Sequence, residues 1–259
     1  MLIFFDIDDT LIGKGEKRIP ASAGLAIAEA RANGHICMIN TGRTKRLVGE
    51  DITGQVGFDG LLLGCGTMVT YRGETLLHRT FSVPQSERIL EGLRRHRIDA
   101  VLEGEGNDYI QGAYDCFHAS FAEYLRRYDD FGFGTYEEAV GQFDKFFAYA
   151  EDRSRMSAFE EEFQEELDFI DRQRGYFEVI PKGCSKASAM EFIAQKLRIP
   201  MSRTAAVGDS SNDLPMIACA GAGIAMGNAT DEVKRAADFV TTDLTQDGIY
   251  NALKWLKVI

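Results

Sequence analysis

Asp6 and Asp8 stand two residues apart in "FFDIDDT", directly behind an apolar run. Near a strand, side chains at i and i+2 point the same way. Both carboxylates therefore face one pocket while Ile7 packs away from it. Two such acids repel each other unless a cation lies between them. Oxygen ligands suit a hard divalent ion, Mg²⁺ foremost. The same residues also fit an acidic loop that caps a helix or solvates a strand end.

Three further segments carry polar chemistry. Asn40-Thr41-Gly42-Arg43 follows the apolar run "HICMI". A hydroxyl beside a glycine N–H makes a small anion cradle, although a plain turn accounts for the same residues. Lys186 follows Ser185, a helix N-cap type. A cation in a helix's first turn opposes the macrodipole, so it points to a use such as anion binding. Lys182 is the neighbouring competitor for that use. Gly208-Asp209-Ser210-Ser211-Asn212-Asp213 follows "TAAV" and precedes Leu214-Pro215, a helix start. Asp209 and Asp213 bracket small residues and form a second half-site for a hard cation. An Asx-turn with an N-cap explains one of these acids but not the run.

The elements that position these residues read as an α/β fold. Leu2–Phe5 and "HICMIN" are buried strands, with a helix over Ala21–Ala32 between them that closes at Asn33-Gly34. A further helix is expected over Thr44–Glu50 and a third strand over "GLLLGCG". This alternation predicts a doubly wound parallel sheet covered by helices. From about Ser82 the texture becomes α+β, with amphipathic helices at "SERILEGLRRHR" and "MSAFEEEFQEE". A strand is expected at "KFFAYA" and a hairpin over "LDFIDRQRGYFEVIP". After Pro181 the first texture returns. The expected division is a core of residues 1–81 and 183–259 and an insert of residues 82–182. In open α/β sheets, ligands bind beyond the carboxyl ends of the strands, where all four segments fall.

Composition narrows the function. The net charge is −11, so the surface repels phosphate backbones and anionic lipid, and neither nucleic acid nor membrane is an expected partner. Five scattered cysteines without CxxC spacing suit reduced thiols in the cytoplasm. The start has no basic region and no long apolar region, so no signal peptide is read, and no apolar run reaches about eighteen residues.

The four motifs, in this order, resemble the haloacid dehalogenase superfamily of phosphatases: DxD, a strand-end Ser/Thr, a Lys and an acidic GD…D loop. "INTGR", "GDSSNDLPM" and "IAMGNA" resemble its Cof-type subfamily, and the insert resembles a type IIB cap. The resemblance implies a Mg²⁺-dependent phosphatase of small phosphorylated metabolites, sugar phosphates before pyridoxal phosphate, flavin mononucleotide and sugar-alcohol phosphates. It implies Asp6 as nucleophile, Asp8 as general acid and base, and Lys186 as the neutralising cation. Thr41 and Gly42 would hold the phosphoryl group, with Arg43 and Asn212 as further substrate contacts. The metal would take Asp6, the Asp8 carbonyl and Asp209, with Asp213 behind it or joined through water. Two departures stand out. Asp9 occupies a position that is often Gly, and Cys65-Gly66-Thr67 stands where the subfamily often has "NGA". The insert would act as a lid, with Tyr114, Phe117 and Phe147 either lining it or forming its core. A phosphomutase on the same scaffold and a non-catalytic binding protein are the alternatives. Oligomeric state is not legible.

Overall fold

The computed structural model describes residues 1–13, 15–112, 115–127 and 132–259. The chain divides into two compact units. The first comprises Met1–Arg43, Leu47–His78 and Ser185–Ile259, and the second comprises Thr44–Arg46 and Arg79–Cys184.

The first unit begins with β1 (Leu2–Phe5), α1 (Ala21–Ala32), β2 (Ile36–Asn40), α2 (Glu50–Thr53), β3 (Gly60–Leu63), β4 (Met68–Tyr71) and β5 (Glu74–His78). Every residue of β1 is fully buried, because the strand is covered on both faces and flanked on both edges. Each such side chain contributes about 1.5–3 kcal/mol of apolar burial. The expected helix over Thr44–Glu50 does not form as one element. Lys45–Leu47 is a single 3₁₀ turn, and Gly49 is extended ahead of the short α2. Glycine has the poorest helix propensity after proline, and here it splits the segment. The strand expected over "GLLLGCG" stops at Leu63, because Gly64, Cys65 and Gly66 all have positive φ. The hairpin β4–β5 was not read from the sequence. It adds two antiparallel strands to the sheet edge.

The second unit runs through α3 (Val83–His96), β6 (Asp99–Glu103), β7 (Asp108–Ile110), α4 (Ala119–Arg126), β8 (Gly134–Thr135), α5 (Tyr136–Ala139), β9 (Lys145–Tyr149), α6 (Arg153–Phe163), β10 (Leu167–Asp171) and β11 (Tyr176–Pro181). Its strands form a six-stranded sheet in the order β10-β11-β9-β6-β7-β8. A core of Leu90, Leu93, Phe146, Phe159 and Phe177 fills the space between this sheet and α3 and α6. Phe147, half-buried, stacks on Tyr176 at 5.3 Å, and the Arg97 guanidinium lies over the Phe117 ring. Tyr114 lies outside the described residues. Lys182 is paired with Asp168 at 2.8 Å within this unit.

The chain returns to the first unit with α7 (Lys186–Lys196), β12 (Thr204–Gly208), α8 (Leu214–Cys219), β13 (Gly223–Ala225), α9 (Asp231–Ala236), β14 (Phe239–Val240) and α10 (Gly248–Trp255). The resulting eight-stranded sheet has the order β14-β13-β12-β1-β2-β3-β4-β5. It is parallel from β14 to β3 and antiparallel beyond. The strand order reverses direction at β1, between β12 and β2, so the ligand crevice of an open α/β sheet falls there. Among the described residues no helix is long and apolar enough to cross a membrane.

Within the second unit's sheet, Lys145 is buried with its ammonium 2.9 Å from Glu103 and 2.8 Å from Glu178. Replacing Lys145 by Met strands two buried carboxylates, and urea unfolding should show a loss of about 3–5 kcal/mol. A loss below about 1 kcal/mol would mean that water reaches the group.

Candidate active site

Three strand ends and one helix start meet at the reversal point. Asp6 directly follows β1, and its N–H continues the ladder to the Val207 carbonyl at 3.0 Å. Thr41 follows β2, and its N–H donates to the Leu62 carbonyl at 2.9 Å. Asp209 follows β12. Lys186 is the first residue of α7, whose N-cap Ser185 accepts from the Ser188 N–H. The Asn40 amide ties β2 to this helix by donating to the Lys186 carbonyl at 2.9 Å. Gly66, at φ +94°, allows the loop after β3 to press on Ser185; a Cβ there would come within 2.4 Å of the Ser185 carbonyl.

The centre is a charge cluster. The fully buried Lys186 ammonium donates to Asp6 Oδ1 at 2.6 Å and to Asp213 Oδ1 at 2.5 Å. Asp213 Oδ2 accepts the N–H groups of Asp209 and Ser210 at 2.9 and 3.0 Å. Both oxygens of Asp213 are thus engaged, and its work is to hold Lys186 and shape the Asp209 loop. Gly208 lacks a side chain because Asp213 fills that space; a Cβ would sit 2.6 Å from its carboxyl carbon. Asp209 Oδ1 accepts the Thr10 hydroxyl at 2.9 Å. Asp6 Oδ2 and Asp209 Oδ2 have no hydrogen-bond donor among the described residues.

Burial dominates the electrostatics. It pushes the Asp6 carboxyl up to about 8, with Asp213 adding to the rise and Lys186 opposing it. Burial and then Asp213 push Asp209 up to about 7. Burial also works against the charge of Lys186, but Asp213 and Asp6 outweigh it and raise the ammonium above its ordinary value. Three buried acids against one ammonium leave an excess of negative charge that a hard divalent cation would offset. The carboxylates of Asp6, Asp209 and Asp213 supply oxygens within 4.8 Å of one another. The donor set therefore fits Mg²⁺, with the open oxygens of Asp6 and Asp209 as its natural side-chain ligands.

The other candidate residues lie around this cluster. β1 ends at Phe5, so the two-residue alternation does not carry through to Asp8, whose carboxylate is 60% exposed and held by Arg43. Thr41 is buried, and its hydroxyl oxygen accepts the Arg43 N–H at 3.2 Å. Asn212 accepts the Ser210 hydroxyl at 2.7 Å. Asp9 takes φ +55°, a conformation that glycine adopts freely and Asp tolerates. Its carbonyl accepts the Asn228 amide at 2.7 Å. Thr10, Asn40 and Asn228 lie within quoted motifs, but the sequence assigned them no role. Their only signal there is membership of a motif, and their partners lie far away in the chain.

The chain matches the haloacid dehalogenase-like hydrolase family over residues 3–253, and it belongs to that family. It is an enzyme of the hydrolase class. The Bacillus subtilis (strain 168) protein YkrA is 29% identical over 265 residues, covering 100% of this chain and 98% of its own length. The 5-amino-6-(5-phospho-D-ribitylamino)uracil phosphatase YcsE of the same strain is 27% identical, covering 98% of this chain and 94% of its own. The solved structure of the subclass IIB sugar phosphatase BT4131 shares the fold, with a TM-score of 0.82, 24% identity and coverage of 100% and 99%.

Without a cation, raising the pH from about 4 towards about 8 forces charge onto Asp6 and Asp209 and costs stability. Mg²⁺ should therefore raise the melting temperature, by about 5 °C at concentrations a hundredfold above its dissociation constant. The rise should be larger at about pH 8 than at about pH 6, where bound protons must leave first. Asp209→Asn should abolish it. No shift in the unaltered protein at about pH 8 would rule out the cation site.

Proposed function

We propose that the protein is a Mg²⁺-dependent phosphatase of small phosphorylated metabolites, sugar phosphates first among them, working through an aspartyl-phosphate. The observation that carries this reading is the buried ammonium of Lys186 shared by Asp6 and Asp213, beside Asp209, at the sheet's reversal point. Family membership and the phosphate monoester in the name of YcsE agree with it.

A phosphate monoester is a dianion, and a carboxylate attacks it only where charge is screened. A divalent ion bound by Asp6, the Asp8 carbonyl and Asp209, with Asp213 behind them, would supply much of that screening. Lys186 supplies the rest through its hydrogen bond to Asp6 Oδ1. The Thr41 hydroxyl oxygen accepts from Arg43, which leaves its proton for a phosphoryl oxygen, and the Gly42 N–H serves a second oxygen. Asn212 would serve as a further substrate contact.

Asp6 attacks phosphorus, and the bond to the ester oxygen breaks. Asp8 delivers its proton to that departing oxygen, and the free alcohol leaves. The Asp8 carboxylate then takes a proton from water as the water oxygen attacks phosphorus. The bond from phosphorus to Asp6 breaks, inorganic phosphate leaves, and both carboxyl groups return to their starting states.

A screen of phosphorylated metabolites with Mg²⁺ should release phosphate from sugar phosphates, and Asp6→Asn should fall below detection while remaining folded. Phosphate release by that variant at the unaltered rate would remove Asp6 from the chemistry. Formation of an isomeric sugar phosphate without free phosphate would make the protein a mutase instead.

A further inference from the structure

Arg43 stands next to the phosphate loop, where its sequence suggests a phosphate ligand. Its guanidinium is engaged elsewhere. Nε donates to Asp8 Oδ2 at 2.9 Å and Nη2 donates to Asp8 Oδ1, a two-pronged grip on both carboxylate oxygens. Nη1 donates to the Leu47 carbonyl at 3.3 Å. The Arg43 backbone is fixed as well: its N–H donates to Thr41 Oγ1 at 3.2 Å, and its carbonyl accepts the Gly64 N–H at 2.8 Å. One residue thus links the loop after β2 to the carboxylate after β1.

The chemistry of the grip is specific. A planar guanidinium fork fixes the plane of a carboxylate, which a single ammonium cannot do. The gripped carboxylate lies outside the Asp6–Asp209–Asp213 cluster, whose oxygens fall within 4.8 Å of one another. A carboxyl group with both oxygens gripped cannot hand a proton to a leaving oxygen, so one oxygen must come free. The pair is solvent-exposed, and exposed ion pairs are weak. A phosphoryl dianion arriving at Thr41 and Gly42 competes for the same fork.

We propose that Arg43 is a positioning residue that acts on the reaction through Asp8, holding this carboxylate beside the phosphate loop and yielding one of its oxygens when a phosphoryl group arrives. The proposal rests on the phosphatase reading above. The released oxygen takes a proton from solvent; in the step Arg43 controls, that proton passes to the ester oxygen as the bond from that oxygen to phosphorus breaks, and Asp8 is left as a carboxylate.

The test compares two esters. p-Nitrophenoxide leaves without needing a proton, whereas an alkoxide needs one. kcat/KM, which covers only the steps through the first bond cleavage, is measured with Mg²⁺ for p-nitrophenyl phosphate and for the most active alkyl ester of the metabolite screen. Arg43→Gln should lower kcat/KM about 100-fold for the alkyl ester, within the range general acid catalysis supplies, and no more than about fivefold for the aryl ester. Arg43→Lys should be as poor as Arg43→Gln. Adding Arg43→Gln to Asp8→Asn should change the alkyl rate by less than about twofold, because the two residues act as one unit. Equal losses on both esters, rescue by Lys, or no loss at all would overturn the proposal while leaving the phosphatase reading intact. Turnover of neither ester by the unaltered enzyme would overturn both.

Discussion

Three carboxylates and one ammonium are buried together where β1, β12 and α7 meet. Asp6, Asp209 and Asp213 share the single positive charge of Lys186, and burial alone drives two of these acids towards neutrality. A cluster of this kind is costly to keep ionised. It persists because its parts hold one another. Asp213 is tied to Lys186 on one side and to the Asp209 and Ser210 amides on the other, and Thr10 holds Asp209. The arrangement leaves open oxygens on two acids that point to a divalent cation. The cost of burial is thereby converted into a cluster whose open oxygens suit a divalent cation.

The sheet exists to hold this cluster still. β1 is inserted between β12 and β2 with matched register, so Asp6, Asp209 and Thr41 emerge side by side from three neighbouring strands. The apolar run that precedes Asp6 is therefore part of the site's precision: a strand packed on both faces fixes where its last residue stands. Asn40 and Gly66 perform the same service for α7. One ties its first carbonyl to β2, and the other lets the loop after β3 lie against its N-cap.

Much of this was legible in the sequence for identifiable reasons. The buried strands announce themselves as short apolar runs, and the acidic residues follow them directly. The mixed helices and strands of the second unit show as a change of texture near Ser82. The hairpin β4–β5 was missed because its outer strand is largely exposed and carries no apolar alternation; Arg72-Gly73 was its one turn signal. The helix expected before Glu50 failed on a single glycine. Within the site, residue types were readable but partnerships were not. Thr10 meets Asp209 across 199 positions and Asn40 meets the Lys186 carbonyl across 146. The grip of Arg43 on Asp8 spans 35 positions and depends on where β1 ends, which residue spacing does not reveal.

In the proposed reaction Asp6 carries the phosphoryl group, because among the described residues it alone combines contact with Lys186 and an oxygen left open. Its most direct test is chemical trapping during turnover. Enzyme quenched in acid while hydrolysing substrate is treated with borohydride, which reduces an acyl phosphate to an alcohol and turns aspartate into homoserine. Peptide mapping should find homoserine at position 6. Homoserine at another aspartate, with position 6 unchanged, would contradict the account.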